Sequence, residues 1–271
     1  MTPEWRPPRL SPANAMFLGM ALLGLAAFLF PFWAPASFDP SESRLVLLML
    51  SGAVAAIMLA MVGEAQQGVT VIAVAMIGTL VGLNTSLRVI ETVIPLPGGF
   101  SPVFLLITLV GYSYGARLGF LMGSLTMLVS GPLTAGGLGP WTPYQMLAAG
   151  WMGMMAAWLP RQRRLLWLAL YSGLWGWVYG WLTNLHFWPY AISSPDLGWE
   201  PGLGWIETIN RYTRFYVLSS LVWDSIRAAG NVILMVILGP SLLKALKRFQ
   251  LRAHIDWRPL TESPPGPSNS A

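Results

Sequence analysis

Long apolar runs, separated by short polar or glycine- and proline-rich breaks, dominate the chain. Runs near 13–33, 44–63, 69–90, 102–114, 116–133, 143–160, 164–187 and 214–240 approach the ~20 residues that carry a helix across a bilayer. No ten-residue segments of alternating polarity of the barrel type interrupt them. The stretch 102–134 is too short for two full spans and too long for one. Within it, Gly111-Tyr112-Ser113-Tyr114-Gly115-Ala116-Arg117 supplies a turn with a charge at its tip. The pattern predicts an all-α membrane protein with eight crossings.

Charge fixes the expected orientation. With eight crossings both termini share a side, and Arg6, Arg9, Arg117, Arg161, Arg163, Arg164, Lys244, Lys247, Arg248, Arg252 and Arg258 all face the cytoplasm. Arg44, Arg88, Arg211 and Arg214 fall on the other side, among Asp39, Glu42, Glu91, Asp196, Glu200 and Glu207. Seven crossings would place one strongly basic set outside, against the positive-inside bias. Ala34-Pro35-Ala36 resembles a signal cleavage site, but the run before it is longer than a signal's apolar core, so the first span reads as retained. The long loop 187–213 lies outside, with Trp188, Trp199 and Trp205 suited to an interfacial belt. The segment 253–271 ends in a proline- and serine-rich stretch that reads as a disordered tail.

Composition agrees with this picture. The chain is 55% hydrophobic and 10% charged, where soluble domains carry roughly 25% charged residues. The net charge of +5 is spread over helix ends and not gathered into one stripe, which argues against nucleic acid. Cysteine is absent, and His186 and His254 stand far apart, so neither a thiolate nor a histidine metal centre is expected. No phosphate loop, HExxH or GxSxG motif occurs, so the chain reads as a non-enzyme without a cofactor.

Candidate chemistry sits where polar groups interrupt the apolar runs. The uncharged loop Gly136-Gly137-Leu138-Gly139-Pro140-Trp141-Thr142-Pro143 cannot continue a helix. Such backbone survives at membrane depth only when protein buries it or when it lines a cavity. It is either a plain turn or a ligand-binding lid. Asn84, Thr85, Ser86 and Arg88 gather at the outer end of the third run, Asn184 and His186 at that of the seventh, and Gln145 follows the loop. Each alone is an ordinary helix-end residue; their common depth outlines a pocket. Asp224 and Arg227 share one helix face inside the last run, with Asn231 a turn on. They form either a structural ion pair or a group that contacts or orients a ligand. Fourteen tryptophans offer flat faces for heterocycles, although lipid anchoring also uses them. Ala73, Ala75, Gly78 and Gly82 make a small-residue face on the third run, suited to close helix packing.

The stretch from about Val69 to Arg252 resembles the substrate-binding S component of energy-coupling factor (ECF) vitamin transporters. The resemblance rests on Gly111-x-x-x-Gly115-x-x-x-Gly119-x-x-x-Gly123 and on Gly139-Pro140-Trp141-Thr142-Pro143-Tyr144-Gln145-Met146. Tyr179-Gly180, Asn184-Leu185-His186-Phe187-Trp188-Pro189, Trp223-Asp224-x-x-Arg227-Ala228 and the basic end Lys244 to Arg252 extend it. It implies a six-helix core at 67–252, preceded by a two-span extension at 1–66 that does not form the pocket, and followed by the tail 253–271. It also implies capture of a vitamin-like micronutrient at the outer face, by Asn84, Arg88, Trp141, Gln145, Asn184, His186, Trp188, Asp224 and Arg227. ATP-driven uptake would then follow on a transmembrane coupling subunit and two ATPases. The family's docking motif has its nearest counterpart in Gly78-x-x-x-Gly82, beside Ala73 and Ala75. Two other classes stay open: a secondary transporter using Asp224 as a proton site, and a membrane assembly subunit without transport.

Overall fold

Helices separated by glycine, proline and short polar links are what the apolar runs dictate, and the computed structural model has that form. It describes residues 12–33, 43–66, 71–93, 101–134, 136–191 and 194–252, and every regular element among them is helical. In chain order these are α1 (Pro12–Phe28), α2 (Phe30–Trp33), α3 (Ser43–Gln66), α4 (Val71–Val93), α5 (Val103–Tyr114) and α6 (Ala116–Ser130). A 3-10 turn over Gly131–Leu133 follows, then α7 (Thr142–Ala156), α8 (Arg164–Ala191), α9 (Trp205–Ser219) and α10 (Leu221–Arg252). The expected tail at 253–271 lies outside the described residues.

Helix α5 is the axis of the molecule: Val103 to Tyr112 are all buried, against α6, α7 and α10. It ends where Gly115 takes φ +93°, a conformation that favours glycine, and the chain reverses directly into α6. The α5–α6–α7 contact is made at backbone level. A Cβ at Gly111 or Gly119 would overlap the Gly153 carbonyl, and one at Gly153 would overlap that of Gly119. Lipid offers no hydrophobic drive between helices, so such close approach supplies the packing energy. A second seam joins α8 to α10, where Gly176 meets the Ala228 backbone.

Helices α1, α2 and α3 pack onto the helices that follow. Gly24 of α1 lies against Leu147 and Trp151 of α7, and Phe28, fully buried, sits edge-on to Tyr144 at 5.0 Å and to His186 at 6.4 Å. In α2, Phe30 stacks on Tyr190 at 6.4 Å. The exterior is apolar: Leu22, Leu59, Leu83, Leu174, Val222 and Ile237 all point outward, a surface made for lipid. The segments Val74–Glu91, Ala116–Leu133 and Leu221–Gln250 are long and apolar enough to cross a membrane.

The last run differs from its sequence reading. Residues 205–213, expected in a loop, form the first part of α9, and Ser220 separates α9 from α10. The reason is amphipathicity: Thr208, Tyr212, Phe215 and Tyr216 are buried on one face, while Glu207, Asn210 and Arg214 stay exposed. Arg211 ties the segment down through Glu207 at 2.8 Å and Glu200 at 3.3 Å.

Candidate functional site

The start of α5, the end of α6, the start of α7 and the end of α8 meet at one end of the bundle. At the opposite end, Arg161 donates to the Tyr112 carbonyl at 2.7 Å, and Tyr114 donates to the Leu246 carbonyl at 2.9 Å. A cleft of about 290 Å³ opens at the first end, lined by Arg88, Glu91, Thr134, Gly136, Gly137, Trp141 and Gln145. Helix α4 supplies the two charges, the glycine-rich loop one wall, and the first turn of α7 the other.

The loop is shaped by its own sequence. Gly137 has φ +61°, and Gly139 lacks the side chain that would otherwise strike the Trp141 ring. The Gly139 N–H donates to Thr142 Oγ1 at 2.9 Å, and Pro143 sits in the first turn of α7, where its missing N–H costs nothing. Gln145 continues that turn through its N–H to the Trp141 carbonyl at 3.0 Å. The Trp141 side chain therefore stands at the cleft, 40% exposed. Across from it, Arg88 Nη1 donates to Ser130 Oγ at 2.7 Å and approaches Met127 Sδ at 3.1 Å. Ser101 donates to Glu91 Oε2 at 2.8 Å. A cation, a carboxylate, an amide and an indole thus border one small space, enough to orient a polar ring by its edge and stack on its face.

Of the residues singled out in the sequence, Arg88, Trp141 and Gln145 line the cleft. The others serve contacts beside it. Asn84 is fully buried and donates to the Val103 carbonyl at 3.1 Å and Thr126 Oγ1 at 3.2 Å, pinning α4 to α5 and α6. Asn184 donates to Ser220 Oγ at 2.8 Å, at the α9–α10 elbow. His186 stacks on Tyr144 with ring centroids 4.1 Å apart. Trp188 donates to the Leu197 carbonyl at 2.7 Å and packs on Tyr212.

Asp224 and Arg227 make a buried pair at 2.5 Å outside the cleft lining. Tyr216 donates to the other carboxylate oxygen at 2.9 Å. Gly180 makes the room: a Cβ there would overlap the carboxylate. The pair nevertheless connects to the cleft. The Arg227 guanidinium lies 6.0 Å from the Tyr179 ring centre, and Tyr179 Oη is 3.6 Å from Met127 Sδ, the atom that Arg88 also meets. Glu91, Thr134, Gly136 and Gly137 complete the lining. Glu91 was legible in the sequence only as an outer charge, although its place one turn after Arg88 puts it on the same face.

A second groove of about 320 Å³ is lined by Trp177, Val178, Trp181, Tyr216 and Leu221. Its Tyr216 hydroxyl is already committed to Asp224 and its Trp177 indole N–H to Ser225, so the groove has little with which to orient a polar ligand. Among the described residues no group of three or more metal-ligating side chains is assembled.

A family model described as ECF transporter, substrate-specific component, matches residues 69–239. Neither the curated proteins nor the solved structures give a match to the chain.

Proposed function

The chain belongs to the substrate-specific components of ECF transporters, and on that footing we propose that it captures a vitamin-like micronutrient in the Arg88–Trp141–Gln145 cleft. The observation that carries this reading is the convergence of a stiff aromatic loop with paired charges in one small space at one end of the bundle. The Asp224–Arg227 pair acts through Tyr179 and Met127, holding Arg88 toward the ligand. Asn84, Asn184, His186 and Trp188 set the walls from behind. If Trp141 and Gln145 touch the ligand, Trp141→Ala and Gln145→Ala each weaken binding at least tenfold, about 1.4 kcal/mol, in folded protein. A thermal-shift screen of water-soluble vitamins, followed by titration of the hit, reads this. Unchanged affinity in both variants makes the loop a mere turn.

Transport, on this proposal, needs a coupling subunit and two ATPases. The docking face is the exposed side of α4 around Ala75, Gly78 and Gly82, with Ala73 on the preceding turn. Nothing lies within 4 Å of a Cβ at Gly78 or Gly82, and Thr79 and Ser86 turn their hydroxyls back onto carbonyls of their own helix. The face is therefore smooth and free of unmet polar demand, as close helix docking requires. In liposomes, the chain alone should bind the screened vitamin without accumulating it. Proton-driven uptake by the isolated chain would establish the secondary-transporter reading in its place. The locked state of Asp224, held by both Arg227 and Tyr216, supports an orienting place for it over a relay.

The proposal keeps eight crossings, both termini in the cytoplasm, an extension at 1–66, a core at 67–252 and a tail at 253–271. The arrangement of the described helices supports it, since Arg117, Arg161 and the end of α10 share the end opposite the cleft. Cysteines placed at Ser194 and Ser263 of this cysteine-free chain test it. An impermeant thiol reagent on intact cells should label the first and spare the second; the reverse pattern rejects the topology.

A further inference from the structure

We propose that the end of the bundle opposite the cleft is a binding surface for the headgroups of anionic phospholipids. Arg163 and Arg164 hold them on one side of α5, and Lys244, Lys247 and Arg248 on the other. The surface is independent of the cleft and of whatever ligand the cleft takes. Far apart in sequence, these cations are gathered by the fold around the end of α5. Arg161 donates to the Tyr112 carbonyl at 2.7 Å, and its guanidinium lies 4.0 Å from the centre of the Tyr112 ring, which ties the link between α7 and α8 to α5. Tyr114, two residues on, donates to the Leu246 carbonyl at 2.9 Å, which ties the last turns of α10 to the same place. Leu165, beside Arg164, lies against Gly239 of α10. Leu243 and Leu246 are buried, so Lys244, Lys247 and Arg248, spaced i, i+3 and i+4, share the outward face of that helix. Arg163 and Arg164 are exposed as well.

Depth selects lipid as the occupant. Trp158, 64% exposed, and Trp167, 42% exposed, bracket the two arginines in sequence, and outward-facing indoles settle at headgroup level. From there Leu166 and Leu170 of α8, and Ile237 and Leu238 of α10, carry an exposed apolar surface toward the bilayer interior. Long basic side chains at such a boundary lay their stems on apolar surface and their charges among phosphates. Charge balance points the same way. Toward the cleft end, arginines meet protein carboxylates: Arg211 meets Glu200 and Glu207, and Arg227 meets Asp224. The described carboxylate side chains all belong to the end of α4, the link before α9, α9 itself or the start of α10. None of them pairs with Arg163, Arg164, Lys244, Lys247 or Arg248. Like charges on one rim repel each other and complement a sheet of phosphates. The positive-inside bias asks only that basic residues lie on one side. Drawing them together is the work of the Tyr112 and Tyr114 contacts. An acidic protein face would match the charges and not the apolar flank that runs on from them.

The test uses the full chain in phosphatidylcholine vesicles carrying trace spin-labelled lipid. Electron spin resonance reads how strongly the protein boundary prefers spin-labelled phosphatidylglycerol over spin-labelled phosphatidylcholine. The parent should prefer phosphatidylglycerol roughly threefold or more. That preference should shrink toward parity at ~1 M salt, where charges are screened within ~3 Å. Lys244→Gln, Lys247→Gln and Arg248→Gln combined should remove roughly half of the preference or more, and adding Arg163→Gln and Arg164→Gln should abolish it. Arg214→Gln, an exposed cation on α9, should leave it at the parental value. Melting curves in phosphatidylcholine establish that each variant is folded. Should the combined variant fail to fold, the α10 set and the arginine pair are each read alone against Arg214→Gln. Equal association of both lipids with the parent, or a preference that survives substitution of the basic residues, overturns the proposal. A parent that ignores lipid charge but binds a polyglutamate peptide also overturns it, and assigns the surface to an acidic protein partner.

Discussion

Gly153→Leu should yield no monodisperse protein. The expected effect is the largest of any single substitution here, because the obstruction is backbone. A Cβ on Gly153 would already overlap the carbonyl of Gly119, and neither α6 nor α7 can retreat. Helix α6 packs also on α4 and α5, while α7 is backed by α3, by α5 and by Gly24 and Phe28 of α1. Ordinary over-packing of a core costs ~1–3 kcal/mol because side chains yield; two backbones in contact have nothing to yield. Gly52→Leu is the control, since a Cβ there meets nothing within 4 Å. It should elute and melt like the parent. Size-exclusion profiles and melting curves in detergent decide the matter, and a folded Gly153→Leu protein would show that the α6–α7 contact is looser than its geometry.

Asp224→Ala should be the next most damaging change. It removes the carboxylate that Arg227 pairs with and the acceptor of the Tyr216 hydroxyl, with Asp224 itself 2% exposed. Breaking one side of a buried pair commonly costs ~3–5 kcal/mol. Asp224→Asn keeps the shape and one acceptor oxygen, so it should stay folded while loosening the hold on Arg227. If Arg227 steadies Tyr179, and through Met127 the guanidinium of Arg88, this variant binds ligand at least tenfold more weakly. A stable Asp224→Asn protein with parental affinity would reduce the pair to a structural tie. Gly180→Ala offers an orthogonal check, because it leaves both charges in place and displaces only the carboxylate.

Much of this arrangement could be read from the residues. Apolar runs mark the helices because lipid requires them, and the turn at Gly115 was visible in a stretch too short for two spans. The Trp141 loop announced itself by its glycines and prolines. Helix α9 was missed because Glu207, Asn210, Arg211 and Arg214 make its sequence look like a loop; only its buried face, set by α8 and the Trp188–Tyr212 contact, makes it a helix. Depth along the membrane was a fair guide to Arg88 and Gln145. It could not separate them from Asn84 or His186, which share their level while the Asn84 amide nitrogen and His186 Nδ1 bond within the fold. Glu91 carried no local signal beyond its spacing from Arg88. Its place in the cleft wall follows from how α4 lies against the glycine-rich loop, which only the folded chain shows.

The brevity of α5 has a mechanical consequence. Its 12 residues rise about 18 Å at 1.5 Å each, against a hydrocarbon layer of ~30 Å. Helices α6 and α7, at 15 residues each, are little longer, while α8 and α10 have 28 and 32. Helix α5 is enclosed by its neighbours, so lipid meets the long helices α8 and α10 and, on α6, a shorter apolar surface. A bilayer that wets both must thin along one flank or let the molecule lean, each at a fraction of a kcal/mol per ångström. The membrane is then a spring preloaded against the upright posture, and acyl-chain length becomes a dial on how readily the protein tips over.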